Sequence, residues 1–219
     1  MCWNQSISFN TFIFGAATLL FIWYNNNYTQ YKSPEFTIYF YFLIGALISM
    51  QLLEFFLWKS IDTKNNSMNK LFSILGWILV RILQPLSVLL LIPPKYSMLQ
   101  YSLFVLYFGL LFIISLYKYF YSPIEFKTIA DKSGHLYWKW SNLYGFEKII
   151  FIIYLIIGIT LFLSYPIFAF IALIFIIYSY IIHKNSFTTM WCWLSNSILL
   201  YYLINILFIM PFNEKKRLC

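Results

Sequence analysis

Cysteine is scarce in this chain, with three in 219 residues, Cys2, Cys192 and Cys219. Their spacing supplies no disulfide framework, no CxxC pair and no Cys/His zinc pattern. Histidine is scarcer still, His135 and His183 alone, which leaves at most one imidazole to join carboxylates at any metal, so neither a metal nor a cofactor is expected. Charged residues make up 10% of the chain, against about 25% in an ordinary soluble domain. Only seven of them are acidic. The start lacks the basic opening, short apolar core and small-residue cleavage site of a removed signal peptide, so the first apolar run is expected to stay as a helix. Cys219 is the last residue, where a prenylation box would place its cysteine four from the end.

Apolar residues fill the space that charge leaves. They account for 62% of the chain and aromatic residues for 23%, whereas soluble domains run at roughly 45–50% apolar. Several runs approach the roughly 20 residues that span a bilayer core about 30 Å thick. The expected fold is all-α, a polytopic transmembrane helix bundle forming one integral membrane domain over residues 1–219, with membrane lipid as its constant partner. Seven segments are marked, at 8–24, 36–58, 70–93, 98–121, 146–164, 166–183 and 189–212. Six is the alternative, because only SYP at 164–166 separates the fifth from the sixth, which then form either a tight helical hairpin or one bent element. The net charge of +8 is distributed between the apolar runs as membrane-flanking anchors are, so nucleic acid is not an expected partner.

The one long connection is 122–145, SPIEFKTIADKSGHLYWKWSNLYG. Its interleaved aromatics predict an interfacial loop anchored at headgroup level by Tyr137, Trp138, Trp140 and Tyr144, with a lid over a site as the alternative. With seven crossings, and side A defined as the side of the N-terminus, nine Lys residues border side A and five Lys or Arg border side B. That favours side A in the cytoplasm. The C-terminal KKRLC pulls the other way, since it resembles an endoplasmic-reticulum retrieval signal, and the sequons at Asn4, Asn27 and Asn65 fall on both sides. The endoplasmic reticulum or a host or viral membrane are the candidate locations.

Arg81, in GWILVRILQP, is the only basic residue well inside an apolar run, and an intramembrane charge is by default a functional candidate that faces the bundle interior. Glu54, in SMQLLEFFLW, is the only acid inside one. Gln51, Glu54 and Trp58 share one face of the second segment, and Trp77, Arg81 and Gln84 share one face of the third. An Arg81–Glu54 pair is therefore expected, bridged by Gln51, with the carbonyl freed by Pro85 as a second partner. Asn10 and Thr11 on the first segment, and Thr188, Thr189, Trp191, Cys192, Ser195 and Asn196 on the seventh, are expected at the same level.

The start MCWNQSISFN and the runs SMQLLEFFLW and RILQPLSVLL resemble a family of small uncharacterised multipass membrane proteins, bacterial and viral, that open Met-Cys-Trp-Ser and carry a Gln-Pro in a middle helix. Asn4 stands here where that family has serine. The richness in Asn, Lys, Ile, Tyr and Phe is similar to coding in AT-rich genomes such as those of giant DNA viruses. The resemblance supplies no reaction. From the residues themselves the expected function is binding or translocation of a small polar or anionic solute, with Arg81, Glu54, Gln51, Gln84, Asn196 and Trp191 lining the pocket. A structural scaffold in which these groups only lock helices is the alternative. A lipid-modifying membrane enzyme comes third, because no His or Lys is placed to activate Cys192.

Overall fold

A computed structural model describes residues 4–131, 134–141, 145, 147–182 and 191–218, with side chains left out at 191–195 and 215–218. Among the described residues the chain is almost wholly helical. Helix α1 runs Gln5–Tyr28 and α2 Ile38–Asp62. Helix α3 runs Asn66–Leu90 and contains a π turn at Leu79–Leu83, and α4 runs Ser97–Tyr121. A two-stranded hairpin follows, β1 Thr128–Ala130 antiparallel to β2 Leu136–Trp138. Helix α5 is Glu147–Ile159 extended by a 3-10 turn, Thr160–Leu163, and α6 is Pro166–Ile182. Helix α7 begins at Trp191 and continues through a π turn, Asn205–Ile209, to Leu218.

Asn4, Thr37 and Asn65 each precede a helix and accept a backbone N–H three residues on, from Ile7, Phe40 and Met68. Each so satisfies one of the donors a helix start leaves open. Five helical stretches are long and apolar enough to cross a bilayer: Gln5–Tyr28, Ile38–Asp62, Asn66–Leu90, Pro94–Tyr121 and Asn196–Glu214. Helices α5 and α6 are shorter. They are separate helices, because Ser164 leaves helical geometry and Pro166 opens the next one.

The outward faces match a hydrocarbon solvent. In α4 only Leu103, Tyr107, Leu111 and Ile114 are buried, one stripe at helical spacing, while Phe104, Phe112, Ile113 and Phe120 are exposed. An apolar surface this extensive would drive association in water. Helix α1 turns inward a stripe of small and polar residues, Ser8, Gly15, Thr18 and Asn25. A Cβ on Gly15 would stand 3.1 Å from Ile48 Cγ1 and 3.3 Å from Asn196 Oδ1, so glycine here sets how closely α1, α2 and α7 approach.

Polar contacts fix the two ends. Gln5 Nε2 donates to Asp62 Oδ2 at 2.6 Å, joining the start of α1 to the end of α2 at side A. At the opposite end the Tyr31 hydroxyl donates to Glu214 Oε2 at 2.6 Å. That hydrogen bond to a carboxylate raises the Tyr31 pKa. There too Phe40 stacks on Tyr165, with centroids 4.7 Å apart, and meets Phe168 edge-on at 5.5 Å.

The connection between α4 and α5 turns inward at its tryptophans. Trp138 and Trp140 are each 2% exposed and stack at 4.9 Å. They lie against Met50 of α2 and Gly76 of α3. The expectation of headgroup anchors fails for both, since burial inside the protein gives an indole more contact than the interface does. Tyr137 is half-buried, and Tyr144 lies outside the described residues. The hairpin is held at Asn69 of α3, whose Nδ2 donates to the Thr128 carbonyl at 3.0 Å and to Ser60 Oγ at 3.0 Å, while its Oδ1 accepts from Thr128 N at 2.9 Å. The Ser73 and Thr128 hydroxyls are 2.8 Å apart.

Candidate functional site

Arg81 sits in the π turn of α3, where Gln84 N–H donates to the Leu79 carbonyl five residues back. Such a turn holds one residue more than an α turn, so the face following it is rotated by about 100° relative to the face before it. The stripe expected from regular spacing is split accordingly. Trp77 meets Phe126 of the long connection, ring centroids 6.3 Å apart. Arg81 and Gln84 instead turn toward α4 and α5.

The acid that meets Arg81 is Glu147, the first residue of α5. Arg81 Nη2 lies 3.0 Å from Glu147 Oε2, and Lys118 Nζ of α4 lies 2.7 Å from Glu147 Oε1. Arg81 and Glu147 are 4% and 5% exposed. The expected Arg81–Glu54 pair does not form. The π turn carries the guanidinium away from α2, and Glu147 at a helix N-terminus is a carboxylate already favoured by the helix dipole. Arg81 lies roughly 22 Å along α3 from Asn66, yet its side chain meets the first residue of α5. The α2–α3 pair therefore rises beyond α5 at side A, and Arg81 sits near the mouth of α5.

The Arg81 backbone takes part as well. Pro85 has no N–H to donate to the carbonyl four residues before it, which is that of Arg81. The Tyr107 hydroxyl of α4, itself fully buried, donates to that carbonyl at 3.1 Å. One turn further, the Tyr154 hydroxyl of α5 donates to Gln84 Oε1 at 3.3 Å. Three helices are thus joined by an acid between two cations and by two tyrosines. Arg81 Nε is buried and has no acceptor among the described residues.

The other expected residues form a second group. Asn196 Nδ2 of α7 donates to Gln51 Oε1 of α2 at 3.3 Å. Gln51 and Glu54 are completely buried, and Asn196 Oδ1 has no donor among the described residues. Gln51, Glu54 and Asn196 accompany α1, α2 and α7, whereas Arg81 and Gln84 accompany α3, α4 and α5. Asn10 is exposed, and the Thr11 hydroxyl bonds back to the carbonyls of Ile7 and Ser8 in its own helix. The side chains of Trp191, Cys192 and Ser195, together with Thr188 and Thr189, lie outside the described residues.

Glu147, Lys118, Tyr107 and Tyr154 were the residues missed by sequence reasoning. Glu147 and Lys118 carried a usable signal, since both stand at side A ends of apolar runs that neighbour one another in the chain. No family model, no curated protein and no solved structure matches this chain.

Proposed function

We propose that this chain is an integral membrane protein of seven crossings that binds, and lets pass, a small anionic or polar solute at the Lys118–Glu147–Arg81 centre. One observation carries the reading: two cations share one carboxylate, and a buried guanidinium N–H has no acceptor among the described residues. The centre has an excess positive charge and an excess donor, and both are complemented by an anion. The π turn supports the same reading, because such turns recur where helices carry function. Lys118, with its side chain 24% exposed, gives the centre its contact with the outside.

The test uses the purified chain in lipid nanodiscs and in proteoliposomes, with chloride, acetate and phosphate as probes. A bound anion at about 100 times its Kd stabilises the fold by about 2.7 kcal/mol. The expected result is stabilisation by at least one of the three, lost in Arg81→Leu together with flux, while the variant keeps its helicity. No stabilisation by any of them, with no flux, refutes the proposal.

A second reading, a scaffold whose polar groups only lock helices, is favoured by the Gln51–Asn196 bond. Such bonds contribute about 0.6–1.7 kcal/mol between membrane helices. It wins where Arg81→Leu and Glu147→Gln both unfold the chain and no anion rescues either.

A further inference from the structure

Among the described residues, helices α5 and α6 meet chiefly around Ser164 and pack on different neighbours: α5 on α3 and α4, and α6 on α7. Between them lies a cleft of about 250 Å³. Its floor is Leu43 and Leu47 of α2 and Val88 of α3, and its walls include Leu155, Gly158, Ala172 and Leu173. Phe162 and Phe168 line its far end, where Phe168 joins the aromatic cluster of Phe40 and Tyr165. Tyr154 brings the one hydroxyl among the lining residues, and that hydroxyl is engaged by Gln84. A Cβ on Gly158 would meet nothing within 4 Å. The rims continue into exposed apolar faces, Ile152 and Ile156 of α5 and Phe170 and Ile174 of α6.

We infer that this cleft holds one acyl chain of a phospholipid from the side A leaflet, with its anionic headgroup at Lys148. Lys148 is exposed at the start of α5 and shares a face with Leu155 and Ile159, at i, i+7 and i+11. Leu155 and Phe162 stand roughly 10 and 21 Å beyond Lys148 along the helix. One leaflet comprises about 6 Å of headgroup region over about 15 Å of hydrocarbon, so the cleft spans the acyl depth beneath a headgroup held at Lys148. An apolar cavity does not fill with water, and the surface it opens on is hydrocarbon. Lys148 alone places an exposed cation at the mouth of the cleft, the sign that attracts a phosphate. The inference rests on the membrane-spanning reading and is independent of solute binding at Arg81.

Native mass spectrometry of the full chain in mild detergent, titrated with dioleoyl phosphatidylglycerol or dioleoyl phosphatidylcholine, tests it. The expected result is one retained phospholipid per chain, with phosphatidylglycerol favoured about fivefold, the effect of one lysine near a membrane surface. Lys148→Gln should bring that ratio close to one without loss of phosphatidylcholine. Gly158→Phe and, separately, Ala172→Leu should each lower retention of both lipids at least tenfold in a chain of unchanged helicity. Arg81→Leu should leave retention as it is, which separates this outcome from failure of solute binding. Equal retention in either folded filled variant overturns the inference, as does equal affinity of the wild type for the two lipids. A wild-type dimer lost in both filled variants also overturns it, because a second copy would then occupy the cleft.

Discussion

Replacing Glu147 with glutamine removes the one charge that faces both Arg81 and Lys118 while keeping the side chain's shape. At 3.0 Å and an effective dielectric constant near 20, the gross attraction between Arg81 and Glu147 is about 5.5 kcal/mol. Desolvation cancels much of that, and couplings between touching residues fall at about 0.5–3 kcal/mol. The stability lost in Glu147→Gln should be larger, about 3–5 kcal/mol, because two cations are left without their counter-charge. Lys118, with its side chain 24% exposed, recovers part of its hydration, so the lower half of that range is expected. Arg81→Leu should be milder, since the Lys118–Glu147 contact survives it. The assay is reversible unfolding in mixed micelles, followed by circular dichroism, for the two single variants and the double variant, with a parallel cycle for Arg81 and Glu54. Coupling of at least about 1 kcal/mol is expected in the first cycle and under about 0.5 kcal/mol in the second. The reverse order would refute the assignment of Glu147 as the partner of Arg81.

Tyr107→Phe should cost about 1–3 kcal/mol by leaving the Arg81 carbonyl unsatisfied, and much less in a Pro85→Ala background, where a backbone N–H is restored; equal losses in both backgrounds would sever the link between proline and tyrosine. Asn69→Ala removes three hydrogen bonds to Ser60 and Thr128 and should red-shift tryptophan emission while opening 128–138 to protease; unchanged emission and resistance would mean that the tryptophans alone hold the hairpin. Gly15→Val should destabilise by about 1–3 kcal/mol through the contact with Ile48, measured by the same unfolding assay, whereas Gly109→Ala, where an added Cβ meets nothing within 4 Å, should be neutral or stabilising.

The helical class and the positions of the apolar segments were legible from hydropathy alone, since a 20-residue apolar run has few other uses. The partner of Arg81 was not. The pairing with Glu54 assumed regular α geometry between Trp77 and Gln84, and the π turn at Leu79–Leu83 breaks that assumption; nothing in LVRIL announces a wide turn except the neighbouring Pro85. The level of Glu147 was hidden by a second assumption, that all helices begin in one plane. Helix α5 begins beyond the start of α3, since its first residue meets Arg81, an offset set by packing and not by local sequence. Trp138 and Trp140 were misread for a related reason, because aromatic residues beside a membrane look alike in sequence whether they face lipid or protein.

The grip of Asn69 on Thr128 has a consequence for the order of assembly. A lone two-stranded hairpin is marginal in water, and an exposed strand edge invites pairing with another chain. By donating to the carbonyl and accepting from the N–H of the same residue, Asn69 stands in for a third strand, offered by a helix. That surrogate exists only once α2 and α3 are side by side, as Ser60 on one and Ser73 on the other complete it. Residues 128–138 emerge from synthesis after both helices, so their template is in place first. The hairpin is then a late latch that reports whether α2 and α3 have docked correctly.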